Sequence, residues 1–283
     1  MRRIFAVVLP MVLAAGAVNA QSNDFRWSGT IPAGKSIEIR GVNGAIRAEP
    51  ASGNQVEVVA TKRHGGSDWD HGHGWRHDPS DLDSVKIEVV PNDGNVTICA
   101  VYPTQNPSVR WSPGRQQDVE PDECRPQSAG RTNTSNDVVV EFVVKVPAGV
   151  RLVAKTVNGA VDVRDLKSDA EIRTVNGKVF VSTSGTATAE TVNGAIEATI
   201  GTASGTAPLD FHTVNGSVTL RLPKGTNAEL HAATSNGHFE SEFPITIQHF
   251  SGRQRHVDGT MGSGGRRIDL HTVNGSIRLQ SAP

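Results

Sequence analysis

The stretch TVNGAVDV (residues 156–163) is rewritten as TVNGKVFV at 174–181 and as TVNGAIEA at 191–198. The tetrapeptide returns at 213–216 and 272–275, appears as TSNG at 234–237, and has an outlying GVNG relative at 41–44. Its asparagines fall at Asn158, Asn176, Asn193, Asn215, Asn236 and Asn274, in steps of 18, 17, 22, 21 and 38. A quasi-period near twenty marks a repeat architecture, and the last step reads as two periods with one copy degenerated.

Aligning the copies on Thr exposes a burial pattern. Two residues before it stands Ala154, Ile172, Ala189, Phe211, Ala232 or Leu270, and five after it Val161, Val179, Ile196, Val218, Phe239 or Ile277. Seven after it comes Val163, Val181, Ala198, Leu220, Ser241 or Leu279, with polar residues between. Alternation of period two on both sides of Asn-Gly means strand, sharp corner, strand, each with one face buried. The fold class is therefore all-β, with no helical period in competition.

Two arrangements satisfy that pattern. In β-hairpin repeats packed as a sandwich, Asn-Gly is a two-residue turn that tolerates positive φ, but Glu190 would then face Glu197, a like-charge pair. In a β-solenoid, each Asn-Gly turns a corner and the chain stacks on the previous rung about 4.8 Å away, so Thr lies over Thr and Asn over Asn. Only the second gives Thr156, Thr174, Thr191, Thr213, Thr234 and Thr272 a reason to recur. We therefore expect a repetitive, β-helix-like solenoid whose six repeat asparagines form a structural ladder at the corners.

The repeated T-V-N-G with alternating apolar residues, and the closing run GTMGSGGRRIDLHTVNGSIRLQ (259–280), resemble a bacterial envelope family grouped as candidate adhesins, a domain of otherwise unknown function. The resemblance covers about residues 137–280, with GVNGAIRAE near Asn43 as an early rung. It implies a β-solenoid or related repetitive β structure, and a surface that binds a glycan or an envelope protein. Adhesion in that family is inferred from architecture, so little biochemistry travels with it.

Composition supports three segments. MRRIFAVVLPMVLAAGAVNA (1–20) has the basic start, short apolar run and small-residue end of a secretory signal peptide. Residues 21–136 form an N-terminal β region with loop insertions, holding all four tryptophans, the single tyrosine and both cysteines, and residues 137–283 form the repeat domain. Gln21 rather than Cys follows the signal, and no further long apolar run offers a membrane span. We expect export across the inner membrane to the periplasm or cell surface. With 28 basic and 29 acidic residues well mixed, nothing resembles the basic stripe of a nucleic-acid binder.

Cys99 and Cys124 in an exported chain are expected to form a disulfide, closing a proline-rich loop and contributing about 3 kcal/mol. The segment RHGGSDWDHGHGWRHD (63–78) brings together His64, His71, His73 and His77, side chains suited to a divalent transition metal, although a solvated insertion explains the same composition. No cofactor is otherwise implied. No Gly-x-Ser-x-Gly nucleophile motif or phosphate loop occurs, and the outward columns of the repeat show no paired carboxylates for glycan cleavage. The chain reads as a non-enzymatic envelope protein, with a periplasmic metal-binding or stress-related scaffold as the alternative.

Overall fold

The computed structural model describes residues 24–65, 80–102, 138–202, 206–251 and 256–282. Apart from a short helix α1 (Ser80–Ser84), these residues form strands. Before the array come β1 (Asp24–Gly29), β2 (Ser36–Arg40), β3 (Ile46–Pro50), β4 (Val56–His64), β5 (Lys86–Asn92), β6 (Asn95–Val101) and β7 (Val138–Val146). The array then pairs β8 (Arg151–Lys155) with β9 (Val161–Leu166), β10 (Ala170–Arg173) with β11 (Val179–Thr183), and β12 (Ala187–Asn193) with β13 (Ile196–Ile200). It continues through β14 (Leu209–Asn215) and β15 (Val218–Leu222), then β16 (Ala228–Asn236) and β17 (Phe239–Ser241). An antiparallel excursion, β18 (Ile245–Ser251) and β19 (His256–Met261), precedes the last pair, β20 (Arg266–Asn274) and β21 (Ile277–Ser281).

Each pair contributes its first strand to one sheet and its second to the other. The sheets run β18-β19-β16-β20-β14-β12-β10-β8-β2-β6-β5 and β1-β4-β7-β3-β9-β11-β13-β15-β21-β17. Successive rungs are parallel and in register, with Ile172 beside Ala154 and Ala189 on one sheet and Val179 beside Val161 and Ile196 on the other. The apolar columns read from the sequence meet between the sheets, where Phe142, Phe211, Ile172, Ile196 and Leu209 are among the largest fully buried side chains. Phe239 and Ser241, on the outermost rung, are only half-buried and exposed. This is the solenoid, and the hairpin alternative fails its own charge test. Glu190 and Glu197 lie on different sheets, where Arg173 and Lys178 from the neighbouring rung sit 3.3 and 2.6 Å away.

The order of the rungs departs from the sequence. β20 inserts between β14 and β16, and β21 between β15 and β17, so the corner at Asn274 stacks between those at Asn215 and Asn236. The 38-residue step therefore holds the β18–β19 excursion rather than a degenerated copy. The early copy is a true rung, with β2 beside β8 and β3 beside β9. Both sheets thus run across the change of composition near residue 137.

The corners explain the tetrapeptide residue by residue. Each Asn donates its Nδ2 to the Oδ1 of the Asn one rung back, through Asn43, Asn158, Asn176, Asn193, Asn215, Asn274 and Asn236 in spatial order, at 2.7–2.9 Å. Each Thr points inward, at 5% exposure or less, and donates its hydroxyl to the carbonyl of the Gly one rung back at 2.8–3.2 Å. The Thr column therefore bonds to backbone and not from Thr to Thr.

Positive φ is not what selects Asn-Gly here. Among the described non-glycine residues only Asp93 and Asp165 have it, and Gly44 is the single corner glycine that does. Glycine is required because the rungs stack so closely: a Cβ on Gly177 would land on the carbonyl oxygen of Gly159, and Gly159 meets Gly44 in the same way. The real two-residue hairpin is Asp93-Gly94 between β5 and β6, where both residues do have positive φ.

Where β6 and β7 flank the early rung of β2 and β3, Tyr102 takes the place of a ladder residue beside the Asn43 corner. Its hydroxyl lies 3.0 Å from the Val138 carbonyl and 3.3 Å from that of Asn43, and burial pushes its pKa up to about 12, so it stays a donor across the physiological range.

Asn176→Ala removes one ladder bond to Asn158 and one from Asn193. Both are solvent-accessible amide bonds, so the variant is expected to lose about 1–2 kcal/mol in urea unfolding. An unchanged midpoint would show that the ladder orders the corner without stabilising it.

Candidate functional site

Thr, Asn and Gly are accounted for by the corner, but Val is not. It points outward, and Val175, Val192 and Val214 are each 39% exposed. Parallel in-register stacking turns these isolated side chains into a continuous apolar row along the solenoid, extended by the half-buried Val157 and Val273. Beside it runs a second outward row, made by Arg40 before Gly41 and then by the residues just before successive Thr, Lys155, Arg173, Glu190, His212 and His271, in spatial order, with Ala233 ending it. Between the rows lies an open groove of about 590 Å³, lined from Lys155 to His271.

The charged wall is internally compensated. Glu38 accepts from Arg40 at 2.8 Å and from Lys155 at 2.9 Å; burial pushes its carboxyl up, yet these two cations hold it below the usual carboxylate range. Arg173 bridges Glu171 and Glu190 at 3.2 and 3.3 Å, and Arg151 reaches Glu171 at 2.6 Å. At the far end His212 and His271 stand side by side, ring centres 5.6 Å apart. Burial, and then the neighbouring His212, push the His271 pKa down. Asp210 lies two residues before His212, with Oδ1 2.8 Å from its Nε2. Its pKa is raised, first by burial and also by the negative charges of Asp269 and Glu190, against the pull of His212.

Of the sequence candidates, the six asparagines lie together in the ladder. His64 ends β4, half-buried, whereas His71, His73 and His77 lie outside the described residues. Cys99 is buried on β6, and Cys124 is outside the described residues. Among the described residues, no three His, Cys, Asp or Glu side chains converge, as they stand, on a point a metal could occupy. Sequence reading missed two things: the outward Val row, whose signal was its recurrence at a position the core does not need, and the pairing of Asp210 with Asp269, created by the inserted rung.

Fold and groove together define a two-sheet parallel β-solenoid with an exposed corner row. The profile of the Toastrack DUF4097 family matches residues 35–280, and the chain belongs to that family. This agrees with the resemblance read from T-V-N-G and the closing run. Among solved structures, a candidate cell adhesion protein from Clostridium sporogenes shares 8% identity at a TM-score of 0.39, covering 92% of this chain and 99% of that one. A candidate adhesin from Bacteroides fragilis shares 10% at 0.32, covering 92% and 97%. No curated protein matches the chain.

Proposed function

We propose that the protein is an exported, non-enzymatic envelope protein that binds an extended partner along the corner groove, and that the partner is a linear glycan. The observation that carries this is the exposed, in-register Val row, which the fold does not need and which a water-facing corner would ordinarily fill with polar residues. Spacing selects the partner. Rungs repeat about every 4.8 Å, whereas an extended peptide advances roughly 3.3 Å per residue and presents one face every second residue. A peptide laid along the axis falls out of phase with the Val row. A glycan chain, with rings close to one rung in size, stays in phase, its apolar ring faces on Val and its hydroxyls on the polar wall.

In the same reading the mature chain begins at Gln21, residues 21–136 and 137–283 are its N-terminal region and repeat domain, and Cys99 bonds Cys124. The test is binding of the mature protein to a panel of cell-wall and surface oligosaccharides of graded length. Saturable binding that tightens with chain length is expected, with at least a tenfold loss in the Val175→Ser, Val192→Ser, Val214→Ser triple variant. Failure to bind any member of the panel would overturn the proposal.

A further inference from the structure

The inserted rung has a chemical result. Only two copies of the repeat carry the sequence D-x-H-T-V-N-G: Asp210-Phe-His212 on β14 and Asp269-Leu-His271 on β20. They are 59 residues apart in the chain, yet β20 docks directly on β14, setting Asp269 beside Asp210 and His271 beside His212 in the outward face of the sheet. We propose that this four-residue square binds a divalent transition metal, with His212 and His271 as nitrogen ligands, Asp210 as the third ligand and Asp269 completing the set.

Four observations carry the assignment. Two imidazoles and two carboxylates form a donor set suited to zinc, cobalt or nickel. The ring-centre separation of 5.6 Å is close to what two imidazoles sharing one tetrahedral ion require, about 5 Å with metal–nitrogen bonds near 2.1 Å. The Asp210 Oδ1 atom is buried and makes no well-aligned hydrogen bond, although it lies 2.8 Å from His212 Nε2. Finally, like groups stand next to like, carboxylate by carboxylate and imidazole by imidazole, an arrangement that a bound cation relieves at both positions.

In the structure the four donors do not meet at a point. His212 Nε2 faces Asp210, and Asp269 is held by Arg267 at 2.7 and 2.9 Å. Coordination therefore exchanges the His212–Asp210 contact for metal bonds, a rotation of two half-exposed side chains, and draws Asp269 off Arg267. The site does not depend on the groove taking a glycan, and it is separate from the histidine segment at 64–78.

Cobalt(II) titration of the mature protein tests it, alongside a variant lacking residues 66–78. One equivalent per chain, with the visible absorption of a low-coordinate cobalt site, is expected in both proteins. His271→Ala and Asp210→Asn should each weaken binding at least tenfold while leaving far-ultraviolet circular dichroism unchanged. Absence of binding, loss of binding on deleting 66–78, or binding indifferent to His271→Ala would overturn the assignment.

Discussion

Gly177→Ala lowers stability by about 3 kcal/mol or more, or prevents the array from folding, although it adds a single methyl group. The new Cβ would fall on the carbonyl oxygen of Gly159 and crowd the Gly159 carbonyl carbon at 2.5 Å and the Ala160 nitrogen at 3.0 Å. These are backbone atoms. Side chains at an overpacked site can rotate away, but here relief requires separating two rungs, which would stretch the Gly159 amide bond to the Asn176 carbonyl, the ladder bond from Asn176 to Asn158 and the Thr174 bond to Gly159 together. Gly53 is the control: nothing lies within 4 Å of a Cβ there, so Gly53→Ala should change stability by no more than about 0.5 kcal/mol. Equal effects at the two positions in chemical denaturation would show that the corners are looser than the stacking implies.

Ending the chain after Gly265 is expected to disorder far more than the 18 residues removed. In an array stacked in sequence order, losing the last repeat would expose the one before it. Here the deleted strands β20 and β21 lie inside the stack, so β16 loses its parallel neighbour and keeps only β19, while β17 loses its one partner. Leu270, Ile268, Ile277 and Leu279, all buried, leave a rung-sized gap against Phe211, Leu209, Val218 and Leu220. Hydrogen exchange on the truncated protein should show lost protection throughout residues 228–261 as well. Protection surviving there would mean that β16–β19 can dock directly on β14 and β15.

The contrast between these two sites shows what was legible in the sequence. Strand, corner and inward face were readable because period-two alternation and the recurring Thr are local signals, and Ile172, Phe211 and Leu270 lie where that alternation places them. The reason for Gly177 was not, since the crowding atom belongs to a residue eighteen positions earlier, and Asn-Gly alone points to a turn with positive φ. That signal was genuine at Asp93-Gly94, which went unread. Rung order was illegible for a deeper reason. Every copy presents the same Thr, Asn and Gly bonding pattern, so local sequence does not state which neighbour a rung accepts, and the Asp210, His212, Asp269 and His271 square that follows from the order was hidden with it. Val175 and its equivalents were visible in every copy except TSNG, where Ser235 stands, but a burial argument has no place for an outward Val.

The ladder also governs how the protein ages chemically. Asn-Gly is a weak point in most chains, because the glycine amide nitrogen can attack the asparagine side-chain carbonyl, expel ammonia and leave a succinimide that opens to isoaspartate. Here the amides of Gly44, Gly159, Gly177, Gly194, Gly216 and Gly275 each donate to an Asn carbonyl of the adjoining rung at 2.8–3.0 Å, and ladder bonds hold the Asn side chains in line. At the outermost corner, Asn236-Gly237, no further rung among the described residues accepts that amide hydrogen. Deamidation of stored protein should therefore start at Asn236, and peptide mapping that found isoaspartate first at an interior copy would contradict this. Seven chemically identical dipeptides are thus given unequal lifetimes by position alone.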